Sequence, residues 1–141
     1  MIMSARDYMG KATRALAAAR LLLDSGDVEG TCNRAYYAMF DAANAALLAS
    51  GAFAAAVLPK KHSGLIAAVG LHLVKTDCIS AELGMAINKV ERLRRIADYT
   101  GEPIALDDAR WAVEETAKLC AVVSRKWPQE TAGASDVAAA P

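Results

Sequence analysis

Along most of the chain apolar residues return every three or four positions, the period of an α-helix, and almost nowhere do they alternate as in a strand. Near the N-terminus Leu16, Ala19 and Leu23 form one stripe and Leu21 and Leu22 widen it. A helix is therefore predicted from about Arg6 to Asp24, started by Ser4 or Asp7 and stopped by Ser25-Gly26. Asp27 is placed as the N-cap of a second helix that continues to about Ala49, where Ser50-Gly51 closes it. So short a connection makes the two helices antiparallel neighbours and begins a bundle.

Between Ala52 and Lys61 the pattern loosens and Pro59 blocks a continuous helix, which predicts a linker with room for one helical turn. A short third helix is expected over Ser63 to Lys75, with Leu65, Ile66, Val69, Leu73 and Val74 inward and His72 a semi-buried imidazole beside them. After the break at Thr76 to Ser80, a fourth helix is predicted to Tyr99, with Met85, Ile87, Val90 and Ile96 as its apolar positions. Gly101 and Pro103 end it. Asp107 or Asp108 is expected to cap a fifth helix that reaches Trp127 and offers Trp111, Leu119, Cys120 and Val123 to the core. The fold class is all-α: an up-and-down bundle of four long helices and one short one over residues 1–127, followed by a disordered tail over 128–141.

Two polar stripes interrupt this pattern. On the second helix Tyr36, Met39, Phe40 and Ala43 fall on a core side, while Arg34, Tyr37, Asp41 and Asn44 line another with donors and acceptors. On the fourth helix Asn88, Arg92, Arg95 and Tyr99 share a line, with Glu91, Arg94 and Asp98 beside it. A third polar group, Lys60-Lys61-His62-Ser63-Gly64, stands before the third helix; such a turn either holds a phosphate on its cations and free N–H groups or is simply solvated.

The 141 residues suit one domain with a proper core, and 55% of them are hydrophobic. Abundant alanine allows close helix approach. Sixteen basic and sixteen acidic residues cancel, so no global field draws the protein to nucleic acid or anionic membrane, and any phosphate site must be local. Cys32, Cys78 and Cys120 are odd in number and widely spaced, which argues for buried thiols over disulfides or zinc. No leader pattern and no apolar run of membrane-spanning length is present, so a cytoplasmic protein is expected. Gly-rich phosphate loops, metal-binding histidine pairs and recognisable nucleophile sets are lacking too, and neither cofactor nor metal is expected.

Asn33-Arg34-Ala35-Tyr36-Tyr37-Ala38-Met39-Phe40, then Lys61-His62-Ser63-Gly64, then Arg95-Ile96-Ala97-Asp98-Tyr99 resemble the HEPN domain family over roughly Tyr8 to Trp127. The resemblance implies a five-helix bundle, usually a homodimer, often encoded beside a minimal nucleotidyltransferase as a toxin–antitoxin pair. It also implies metal-independent ribonuclease chemistry, in which an Arg is followed after four to six residues by a His. Histidine can move protons at the ribose 2′-hydroxyl and the leaving oxygen, and arginine offsets phosphate charge. Here the matching stretch, Arg92-Leu93-Arg94-Arg95-Ile96-Ala97-Asp98-Tyr99, has no such His.

Three readings of these residues follow. In the first, Arg95 and Arg92 hold phosphate in an RNA-cleaving site, with Asp98, Tyr99 and His62 orienting substrate or carrying protons, and two copies of the fourth helix form the groove. In the second, a non-catalytic module binds a nucleotide or nucleotidyltransferase, with Tyr37 and Tyr99 stacking a base and Arg34, Lys60 and Lys61 on phosphates. In the third, Arg34, Asp41, Arg95 and Asp98 pair across the helices and fix bundle register.

Overall fold

The computed structural model describes residues 2–132. Six α-helices occur among them: α1 (Ala5–Ser25), α2 (Val28–Ala49), α3 (His62–Val69), α4 (Ala81–Tyr99), α5 (Leu106–Lys126) and α6 (Pro128–Thr131). No strand forms among the described residues, so the all-α bundle expected from periodicity is the observed fold.

Local chemistry sets most of the boundaries. Ser4 and Asp7 cap α1 reciprocally: the Asp7 N–H donates to Ser4 Oγ at 3.2 Å, and the Ser4 N–H donates to Asp7 Oδ2 at 2.8 Å. Gly26 then turns the chain at φ 86°, a left-handed conformation that costs a glycine little. Asp27 caps α2 by accepting from the Gly30 N–H at 2.8 Å, and Ser80 caps α4 by accepting from the Leu83 N–H at 3.1 Å.

Helix α2 is the axis of the bundle, packed by α1, α4 and α5. Its pairing with α1 is the most intimate, because Ala12, Ala15 and Ala19 on one side and Ala35, Ala38, Ala42 and Ala46 on the other are all fully or almost fully buried and let the backbones approach. Met9, Met39, Leu47, Leu65, Leu73, Ile87 and Leu119 fill the remaining core. The Thr116 hydroxyl, buried between α5 and α2, donates to the Ala112 carbonyl at 2.7 Å.

The chain continues from α3 into one widened turn, Gly70–Val74, closed by a bond from the Lys75 N–H to the Gly70 carbonyl at 3.0 Å. Leu65, Val69 and Leu73 are all buried at strict four-residue spacing. A regular helix would rotate the last of them about 80° out of line, and the wide turn absorbs that drift. Asp77, at φ 61°, leads the chain out toward α4.

Several sequence expectations are corrected. Leu21 is 71% and Met85 67% exposed, because the inward lines run through Ala12, Ala15 and Ala19 on α1 and through Leu83, Ile87 and Val90 on α4. Asn44 belongs to the core, not to an open polar stripe, at 2% exposure. Helix α5 begins at Leu106 behind Ala105, with no side-chain cap; Asp107 and Asp108 lie in its first turn, where carboxylates favour the positive end of the helix dipole. The tail expected from residue 128 opens with α6, led by Pro128 and closed by Thr131, whose buried hydroxyl donates to the Trp127 carbonyl at 2.6 Å. The rest of that tail, residues 133–141, lies outside the described residues. His72 is half-buried as expected, its ring edge-on to Phe53 at 5.1 Å.

Candidate functional site

Where α1, α2 and α4 meet the loop before α3, a cleft of about 530 Å³ opens. Helix α2 supplies Arg34, Tyr36, Tyr37, Phe40 and Asp41; the loop and the start of α3 supply Lys60 and His62; α1 adds Lys11 and α4 adds Arg94. Two of the three polar groups singled out in the sequence, the α2 stripe and the lysine–histidine turn, thus share one cavity.

Its chemistry is ordered around an imidazole. His62 Nδ1 lies 2.9 Å from the Tyr36 hydroxyl, and its Nε2 lies 2.7 Å from Asn88 Oδ1 on α4. An amide oxygen only accepts, so Nε2 carries the ring hydrogen and Nδ1 accepts from the phenol. Burial, reinforced by the charge of Glu91, pushes the Tyr36 phenol up to about 12, which keeps it a donor. The Tyr36 ring is locked edge-on by Phe40 at 6.1 Å and Tyr37 at 5.5 Å.

Arg94 forms the far wall. Its guanidinium lies 5.0 Å from the Tyr36 ring centre, 5.8 Å from that of Tyr37 and 5.9 Å from that of Tyr99. It pairs with Asp98 at 3.3 Å and with the buried Glu91 at 3.6 Å. Asp98 also accepts from Asn33 Nδ2 at 3.2 Å, which ties α4 to α2. Arg34 stands 5.8 Å from the centre of the half-exposed Tyr37 ring at the cleft.

Of the residues expected at a site, His62, Lys60, Arg34 and Tyr37 come together here. Asp98 stands behind them through Arg94 and Asn33. Lys61 is exposed at the N-cap position of α3 and does not line the cleft. Arg92, Arg95 and Tyr99 line a separate, smaller depression along α4, where Arg95 is 67% exposed and reaches Glu91 at 3.8 Å. Among the arginines of α4, the one facing the cleft of His62 is therefore Arg94. Its position was legible: Leu83, Ile87, Val90 and Arg94 follow one another at four-, three- and four-residue steps along the inward line. Of the cross-helix pairing expected among Arg34, Asp41, Arg95 and Asp98, Asp98 alone reaches α2 among the described residues, by accepting from Asn33, whereas the ion pairs of Arg94 and Arg95 stay within α4.

Among the described residues, no group of three or more His, Cys, Asp and Glu side chains could hold a metal ion, and no helix is long and apolar enough to cross a membrane. Cys32 and Cys120 are buried, Cys78 is half-buried, and all three are free thiols.

The HEPN domain family model matches residues 5–127, the whole of α1 to α5 together with the cleft. The chain belongs to the HEPN domain family. Among relatives, it is 34% identical over 116 residues to a UPF0332 protein of Gloeobacter violaceus, covering 81% of this chain and 88% of that one. A UPF0332 protein of Thermotoga maritima is 36% identical over 98 residues, 70% of each chain. A Methanocaldococcus jannaschii protein that carries the name "Putative toxin" is 35% identical over 100 residues, 71% of each chain. The match of the HEPN model extends across the elements that build the cleft.

Proposed function

We propose that this HEPN protein is the toxin-like, RNA-acting component of a prokaryotic toxin–antitoxin or defence system, working in the cytoplasm as a metal-independent ribonuclease. The observation that carries the reading is an oriented imidazole, His62, at a cleft that also presents Arg34, Lys60 and Lys11. The cations offset the charge that builds on a phosphodiester as it is attacked, and His62 in its imidazolium form can give its Nε2 proton to a leaving oxygen while the proton on Nδ1 turns toward the Tyr36 oxygen. Asn88, exposed and joined to Nε2 by one hydrogen bond, yields its place to substrate. Arg92, Arg95 and Tyr99 extend a phosphate and base track along α4, and a homodimer through α4 doubles that track. The names of the Methanocaldococcus relatives support the toxin-like role.

A second reading is favoured by one specific observation: both ring nitrogens of His62 are already engaged, so neither offers a free lone pair to a 2′-hydroxyl. On that reading the cleft binds a nucleotide, or docks a minimal nucleotidyltransferase antitoxin, without cutting. RNA incubated in EDTA with wild type, His62→Gln, Arg34→Ala and Arg95→Ala, each checked for equal helical content, separates the two. Cleavage lost in His62→Gln and weakened in the arginine variants supports the ribonuclease; intact RNA with a well-folded wild type supports the binding module.

A further inference from the structure

Among the cations of the cleft stands one carboxylate. Asp41 lies on α2 one turn beyond Tyr37, half-buried, and lines the cleft with Lys11 and Arg34. The carboxylates of Asp7, Asp27, Asp98 and Asp107 each accept a hydrogen bond within the protein. Asp41 accepts none and forms no close ion pair among the described residues. Burial raises its carboxyl above the usual carboxylate range, while the charges of Lys11, Arg34 and Arg14 oppose that rise. In a pocket that holds only phosphate such a group is a liability, since it repels the anion.

We propose that Asp41 reads a ribose hydroxyl, so that the cleft selects ribonucleotides over deoxyribonucleotides. The proposal rests on the RNA-acting reading above and adds its sugar specificity. Arg34 and Lys60 take the phosphate, the half-exposed Tyr37 ring offers a stacking face for the base, and the Asp41 oxygens accept from the 2′-hydroxyl between them. A hydroxyl donating to a carboxylate makes a charge-assisted hydrogen bond, and a ligand without the hydroxyl leaves the carboxylate unpaired beside its own phosphate.

The test titrates uridine 5′-monophosphate, its 2′-deoxy and its 2′,3′-dideoxy forms, none of which can be cleaved, into wild type, Asp41→Ala, Asp41→Asn and Arg34→Ala, read by NMR. Wild type is expected to hold the ribonucleotide about 10-fold more tightly than either the 2′-deoxy or the dideoxy form. In Asp41→Ala that preference disappears and the dideoxynucleotide binds more tightly than to wild type, because a negative charge has left the phosphate pocket. Asp41→Asn, which keeps an acceptor oxygen, retains part of the preference; a purely structural Asp41 would weaken all three ligands together. Equal binding of all three to wild type, weakened alike by Arg34→Ala, overturns the ribose reading and leaves the phosphate site standing. No binding of any of them overturns the nucleotide reading of the cleft, and this proposal with it.

Discussion

The phenol of Tyr36 and Nδ1 of His62 lie 2.9 Å apart, with the phenol as donor. The bond joins the core of α2 to the start of α3, and the phenol keeps its proton because burial pushes it up to about 12. Tyr36→Phe leaves Nδ1 without a donor and is expected to cost about 1 kcal/mol near neutral pH, read by urea denaturation.

The same shift sets an alkaline limit. A phenol that ionises near 10 when unfolded and at about 12 when folded contributes stability that is full below pH 10 and lost as pH rises through 12. The thiols of Cys32 and Cys120, raised by burial to about 11 and about 12, act in the same direction. Wild type and Tyr36→Phe share the thiols, so the difference between them isolates the phenol. The gap seen at neutral pH should narrow as pH rises above 10, measured by urea midpoints across that range.

Arg94 and Arg95 are neighbours with opposite expected behaviour. Arg94→Ala removes the pairs to Glu91 and Asp98 and the contacts to three tyrosine rings, and leaves the buried Glu91 with only the longer contact to Arg95. Its expected cost is roughly 2–3 kcal/mol. Arg95→Ala should stay within about 0.5 kcal/mol of wild type, since the exposed side chain is already solvated. Thermal and urea unfolding of both variants check the contrast, and any RNA-linked loss in Arg95→Ala is then not a folding effect.

Asp27 and Gly30 are coupled by space. A Cβ on Gly30 would run into the Asp27 carboxylate that caps α2. Gly30→Ala should therefore cost about 1 kcal/mol by displacing the cap. In an Asp27→Ala background the same change should become stabilising by about 0.5–1 kcal/mol, as expected for glycine to alanine within a helix. A double-mutant cycle in urea that shows simple additivity contradicts this.

Thiol chemistry separates the cysteines. Cys32 and Cys120 are buried, whereas Cys78 is half-buried in the turn after α3, its sulfur 3.4 Å from the Thr76 hydroxyl. One thiol should react promptly with an aromatic disulfide reagent in the native protein and all three after denaturation.

Much of the fold was legible because several boundaries are written in local chemistry: Ser4 with Asp7, Asp27, Ser80 and the glycine at 26 act within a few residues of themselves. Asp107 and Asp108 misled, because the acidic residues that favour an N-cap also favour the first turn. The cleft was legible only in pieces. Tyr36 reads as core by its period, and it is core, yet its hydroxyl belongs to the cleft. The line from Tyr36 through His62 to Asn88 spans 26 positions on either side, a distance at which helical periodicity says nothing. Asp41 and Asn44 share a stripe on paper, and only packing sends one to the cleft and the other into the core.

The widened turn at Gly70–Val74 makes chain length there a variable separate from composition. Its five residues advance the chain about as far as four would in a regular helix, so it holds one residue more than a regular turn needs. Excising one of them, such as the exposed Leu71, would let the segment close as a regular turn in which Leu65, Val69 and Leu73 follow at four- and three-residue steps, and Leu73 and Ile79 would keep facing the core. This segment therefore tolerates a missing letter where a regular helix, swung by about 100°, would not.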